Sequence, residues 1–255
     1  MKSTTPIRDL TTAARAGLSG NWGKTIGVMV SYLILLVGVS LIPVAGWLMH
    51  LIFTAPLTVG MATYLLMTMR RGCYNPFSLL FSGFDCFGVS LRTALLVALK
   101  LVLWMLPLVV LAELGLFFVH RDPAAFPPKT LAALSAILLP LAKISYLMEH
   151  TNPLILLATG AVLFLSAVFF MILLQMRYGL ALFVVADDPA VRARDAVRRG
   201  VELMKGNYWR LGLLWLRFIG WQILCVLTLG IGLIWLAPYF MAATTAFYDD
   251  LAKDG

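Results

Sequence analysis

TIGVMVSYLILLVGVSLIPVAGWLMHLIFTAPLTVGMATYLLMTM, residues 25–69, contains no Lys, Arg, Asp or Glu, and His50 is its one group ionisable near neutral pH. A membrane-spanning helix needs about 20 predominantly apolar residues. These 45 residues are therefore too long for one crossing and sufficient for two. The turn between the crossings is signalled by Ile42-Pro43-Val-Ala-Gly46-Trp47, with Trp47 suited to the headgroup level. The run returns to Arg70-Arg71, so the stretch reads as a transmembrane hairpin.

The segment before this hairpin reads as a helix lying on the membrane surface. Thr5 can cap it, Pro6 suits its first position and Gly20-Asn21 suits its end. Ile7, Leu10, Ala14, Gly17 and Leu18 fall on one face, with Arg8, Asp9, Thr11, Thr12 and Arg15 on the other. No neighbouring segment offers a partner for the apolar face, which favours the lipid interface over packing within a small soluble domain.

The same grammar recurs near the other end. Asp188-Pro189 is placed to cap a second such helix. Its apolar face carries Val191, Ala193, Val197, Gly200, Val201 and Met204, and the other face Arg192, Arg194, Asp195, Arg198, Arg199, Glu202 and Lys205. Gly206-Asn207-Tyr208-Trp209 then echoes Gly20-Asn21-Trp22 and opens two more apolar runs, about 208–228 and 232–248. Gly46-Trp47 is echoed loosely by Gly232-Leu-Ile-Trp235, and Ala55-Pro56 by Ala237-Pro238. Tyr64 sits beyond Pro56 much as Tyr248 sits beyond Pro238. The chain reads as a duplicated unit of surface helix plus hairpin.

Between the copies, Asn75-Pro76 starts a segment with Phe77, Leu80, Phe81, Phe84 and Phe87 at helical spacing, suited equally to shallow insertion or to packing on the spans. A third crossing, about 93–119, carries Lys100 and Glu113. A proline-rich loop follows (Pro123, Pro127, Pro128), then the short apolar piece Leu131–Met148, broken by Pro140 and carrying Lys143. Thr151-Asn152-Pro153 opens a long helix to about Val185.

Composition agrees with this organisation. The hydrophobic fraction is 61%, mean hydropathy is +0.92, and 13% of residues are charged, against about 25% charged in a soluble domain. The net charge of +8 fits the excess of Lys and Arg in cytoplasmic loops better than it fits nucleic acid, which is not expected as a partner. If Leu131–Met148 does not cross, fifteen Lys and Arg fall on the cytoplasmic side and three outside (Arg121, Lys129, Lys143), with Lys100 and Arg217 inside spans. If it crosses, the tally becomes seven inside and ten outside. The positive-inside rule favours six spans, both termini cytoplasmic, and hairpins of like orientation. Leu131–Met148 is then interfacial or re-entrant on the outer side.

The expected fold is all-α: a polytopic helical membrane protein of about six transmembrane helices plus interfacial amphipathic helices. It forms a single membrane domain over 1–255, made of 1–71, a middle region 72–186 and 187–255. Cys73 and Cys86 fall in a cytoplasmic loop and Cys225 in a span, so no disulfide framework is implied.

The C-terminal block Ala196-Val-Arg-Arg-Gly-Val-Glu-Leu-Met-Lys-Gly206-Asn207-Tyr208-Trp209 resembles a known family. So do Phe218-Ile-Gly220-Trp221, Leu227-Thr228-Leu-Gly230-Ile-Gly232-Leu-Ile-Trp235, Ala237-Pro238-Tyr239 and Phe247-Tyr248. They resemble the bacterial integral-membrane family known as domain of unknown function 975, as do Gly20-Asn21-Trp22-Gly23-Lys24 and Phe81-Ser-Gly83-Phe84. More loosely, the architecture is similar to Yip-type membrane proteins and to the membrane domain fused to some glycerophosphodiester phosphodiesterases. The resemblance implies a multi-pass protein of the bacterial cytoplasmic membrane and carries over no catalytic residue.

No catalytic, cofactor-binding or metal-ligating set emerges. His50, His120 and His150 are isolated, and no HExxH, CxxC, GxSxG or phosphate-binding loop occurs. Ionisable groups within spans are the usual functional suspects, which makes Lys100, Glu113 and Arg217 candidates for an intramembrane polar site. The alternative for each is a structural role, with Lys100 and Arg217 snorkelling to the interface. Arg192, Arg194, Arg198, Arg199 and Lys205 are the candidate lipid- or partner-binding set, unless they merely enforce topology. The expected function is a non-enzymatic membrane scaffold or accessory protein whose basic helices engage anionic lipid, a protein partner or a second copy. The alternative is a small transporter or channel. A lipid enzyme ranks third, for want of convergent catalytic groups.

Overall fold

Lipid leaves backbone polar groups no partner but the chain itself, so apolar runs of this length fold as helices. The computed structural model describes residues 5–41, 46–72, 76–120, 153–228 and 230–254. Among them, ten α-helices and one 3-10 turn make up all the regular structure, with no strand. In chain order they are α1 (Ile7–Leu18), α2 (Trp22–Ser40), α3 (Gly46–Arg71), α4 (Pro76–Phe81), the 3-10 turn Ser82–Phe84 and α5 (Phe87–His120). Then come α6 (Pro153–Tyr178), α7 (Ala181–Asp187), α8 (Ala193–Met204), α9 (Tyr208–Leu227) and α10 (Leu233–Asp254).

Among the described residues, five stretches are long and apolar enough to cross a membrane: α2, Ile52–Arg70 of α3, Phe87–Pro107 of α5, Phe164–Asp187 through α6 and α7, and α9. The polytopic helical class expected from the sequence is the class observed. A crossing expected over 232–248 is not among the five. The inter-span turn at 42–45, Cys73, the proline-rich loop, Leu131–Met148 and His150 lie outside the described residues.

The chain forms two compact units. Residues 100–173 make the smaller one, whose helical stretches expose Val102, Leu103 and Leu106 on α5 and Val162, Phe164 and Leu165 on α6. Residues 1–99 and 174–255 make the larger, and its core follows a gradient. Buried side chains concentrate in α3 from Ala55 to Leu66, in α7, in α10 from Leu236 to Leu251, and on one face each of α1 and α8. Exposed apolar side chains concentrate instead in α2 from Val30 to Leu41, in α9 from Leu216 to Leu227, and at Ile231 to Trp235. The unit therefore has a well-packed head and apolar arms that leave it.

Helix α3 is the centre of the head. Thr25 and Tyr64 share a buried hydrogen bond of 2.9 Å, and Tyr32 and Thr58 one of 3.3 Å, which set the register of α2 on α3. The segment 76–84 approaches α3 so closely that two glycines are obligatory. A Cβ at Gly60 would stand 1.8 Å from the Leu80 carbonyl oxygen, and one at Gly83 would stand 1.9 Å from that of Pro56. The packing expectation is met in part: Leu80 is fully buried against the spans, while Phe77, Phe81 and Phe87 stay exposed.

The two basic helices depart from expectation in what they pack against. Leu10, Ala14 and Leu18 of α1 are buried, and α1 lies on α10. Ala193, Ala196, Val197, Gly200 and Met204 of α8 are buried, and α8 lies on α7. Their apolar faces meet protein, and for α1 the partner lies more than 210 residues away in sequence. Thr5 does not cap α1: its hydroxyl donates to Asp250 (2.6 Å), and Pro6 occupies the N-cap position. Asp188 does not cap α8, which starts at Ala193; its carboxylate accepts from the Ala190 amide (3.1 Å) and shapes the turn before the helix. The long helix expected to run to Val185 breaks at Gly179-Leu180, between α6 and α7.

The corners after α1 and α8 share one geometry. Gly20 and Gly206 have φ of 78° and 84°, a left-handed backbone that glycine adopts without penalty. Asn21 (φ −122°, ψ 9°) and Asn207 (φ −113°, ψ 3°) start the following helices. Both basic helices have 12 residues, and the same three-residue turn bonds close them: Asn21 N–H to Leu18 O and Asn207 N–H to Met204 O.

Candidate functional site

Because the buried face of α8 is locked on α7, its other face has a fixed direction. A Cβ at Gly200 would meet the Ala181 backbone nitrogen at 3.0 Å, so the two helices are nearly in backbone contact. Arg192, Arg194, Arg198, Arg199 and Lys205 are all exposed. Arg198 is flanked along the helix by Asp195 (3.1 Å) and Glu202 (4.0 Å); with its side chain 71% exposed, such pairing contributes little. Among the described residues, no carboxylate lies within 4.0 Å of Arg192, Arg194, Arg199 or Lys205.

The start of α8 also walls a groove of about 800 Å³ against the N-terminal part of α5. Arg92, Arg192, Arg194 and Asp195 line it together with Leu95, Leu96 and Leu99. Basic groups above an apolar wall suit an amphiphile with an anionic head. Sequence reading had used Arg92 only to orient the chain; its approach to Arg192 and Arg194 is a product of the fold.

Beside this surface, the ends of α3, α7 and α10 are tied by charges. Arg70 hydrogen-bonds Asp187 and also Asp249 (2.6 Å), and Lys253 is the second partner of Asp249 (2.6 Å). The Tyr248 hydroxyl donates to Asp187 (3.2 Å). Burial pushes the Asp249 carboxyl up, but hydrogen bonds from Lys253 and Arg70 outweigh this and hold it below its ordinary value. A second cluster pins the N-terminus: Arg210 donates to the Thr5 carbonyl (2.6 Å) and to Asp250 (3.2 Å), and its guanidinium lies over the Phe247 ring (5.7 Å). The Tyr239 hydroxyl donates to the Thr11 carbonyl (3.4 Å). These carboxylates are engaged by cations, and the clusters fasten the head.

Residues 1–254 match one family, described as "Protein of unknown function (DUF975)". The chain belongs to this family. No curated protein and no solved structure matches it.

In this DUF975 chain the candidate intramembrane residues fall in different units. Lys100 and Glu113 lie on α5, thirteen positions apart, or about 20 Å along a helix; the Glu113 side chain lies outside the described residues. Arg217 lies on α9, in the other unit, exposed and next to buried Phe218. Among the described residues no three His, Cys, Asp or Glu side chains converge in a way that would hold a metal ion. Cys86 and Cys225 are free thiols. The groups that sequence reasoning missed, Asp187, Asp249 and Asp250, carry one weak signal: each stands where an apolar run ends.

Proposed function

We propose that this DUF975 protein is a non-enzymatic scaffold or accessory protein of the bacterial cytoplasmic membrane. It has six spans, both termini in the cytoplasm, and a duplicated unit of basic amphipathic helix plus hairpin. Its basic face engages the anionic phospholipid of the cytoplasmic leaflet. The observation that carries this reading is the fixed outward display of Arg192, Arg194, Arg199 and Lys205, none of them neutralised by a carboxylate among the described residues. Each such cation near an anionic leaflet contributes about 1 kcal/mol. Because the apolar face of α8 is already filled, the contact is one of headgroups with charges rather than of a helix inserting into the acyl layer. The matching corner geometry at Gly20-Asn21 and Gly206-Asn207 supports the duplication.

The reading is tested on the intact protein. Lipid mass spectrometry of purified wild type should show anionic phospholipid enriched over zwitterionic phospholipid. Replacing Arg192, Arg194 and Arg199 together by Ser should lower that ratio several-fold. An unchanged ratio would overturn the reading.

A further inference from the structure

Helix α9 changes character halfway along. Leu211 and Leu214 are buried in the head, whereas Leu216, Ile219, Trp221, Ile223 and Leu224 are exposed, and Arg217 stands at the change. The junction of α1 and α2 lies at the same level, because both surround Tyr239. The Tyr239 ring is 5.1 Å from Phe218 and 6.3 Å from Trp22, and the Arg15 guanidinium lies over it at 5.8 Å. Arg15 and Arg217 thus line one groove of about 400 Å³, whose other walls include Trp221, Leu224, Leu236 and Tyr239.

Among the described residues, neither arginine has a carboxylate within ion-pairing distance. Arg15 and Arg217 are both exposed, and they stand beside one apolar groove where the packed head gives way to apolar arms, so an anionic group there would meet two like charges. A guanidinium fork matches a phosphate oxygen pair, and the volume falls in the range of ligand pockets, about 300–1,000 Å³.

We propose that this groove is a binding site for one anionic glycerophospholipid. Arg15 and Arg217 hold its phosphate, and an acyl chain runs along Trp221 and Leu224. A net-anionic lipid is selected because the ammonium of a zwitterionic headgroup would meet two guanidinium groups. The site shares no residue with the basic face of α8 and does not depend on the function proposed for that face.

The test is native mass spectrometry of the purified full-length protein titrated with phosphatidylglycerol or with phosphatidylcholine of the same chains. Wild type should bind one phosphatidylglycerol in clear preference. Arg15→Gln and Arg217→Gln should each weaken it about fivefold, the effect of one cation near an anionic lipid. Arg217→Lys, which keeps the charge, should retain the lipid, and Ser replacements at Arg192, Arg194 and Arg199 should leave this site unchanged. Unaltered phosphatidylglycerol binding in the double Gln variant would overturn the proposal. So would equal losses for the two lipids, or an Arg217→Lys variant as defective as Arg217→Gln.

Discussion

At the scale of single residues, the head is held by a few contacts with no slack. Gly60 and Gly83 face backbone carbonyl groups where a methyl group would overlap at 1.8 and 1.9 Å. Overpacking of this kind costs about 3 kcal/mol, so Gly60→Ala or Gly83→Ala should melt well below wild type in detergent; a Tm within a degree or two of wild type would show that the approach is looser. Arg210 and Asp250 have side chains only 16% and 15% exposed. Removing one partner leaves the other's charge uncompensated, so Arg210→Met should destabilise by about 2 kcal/mol, and adding Asp250→Asn should recover part of that loss in a double-mutant cycle. Asp249 supplies a pH dependence. Its folded carboxyl is held below its ordinary 3.8, so its contribution is complete above that pH and lost as pH falls further through the lowered value. Stability should therefore be flat in this respect from neutral pH to about 4, then drop, and Asp249→Asn should remove that part of the drop. None of this was legible beforehand. The partners of these carboxylates, Arg70 and Arg210, are distant in sequence.

At the scale of elements, the apolar runs were the most legible part of the chain. The lack of charges over 25–69 implies helices, and α2 and α3 are helices. Helix edges and partners were less legible, since the cap expected at Thr5 is spent on Asp250 and the apolar face of α1 on α10. Periodicity shows that a face is apolar; it does not say whether protein or lipid covers it. The Gly-Asn corners were legible as helix ends, and their left-handed glycines make an element-level prediction. Gly20→Ala and Gly206→Ala should each cost about 1–2 kcal/mol and by similar amounts, as thermal melts would report. Asn, which tolerates that backbone, should restore part of the loss at either position. Unequal costs, with one corner insensitive, would argue against equivalent roles for the two corners.

At the scale of the whole molecule, the class was legible from composition and span length, and the family from the C-terminal signature, whose match extends over residues 1–254. The proposed binding surface was legible as a set of basic residues on α8. Its extension to Arg92 and the separate pair Arg15 and Arg217 were not, because only the fold brings residues from different helices to one groove. The central claim is that the basic face of α8 lies at the cytoplasmic leaflet. It is tested most directly by replacing the native cysteines, placing one cysteine at Arg199 and adding a membrane-impermeant thiol reagent to intact cells. The account predicts no labelling until the cells are permeabilised; labelling in intact cells would contradict it.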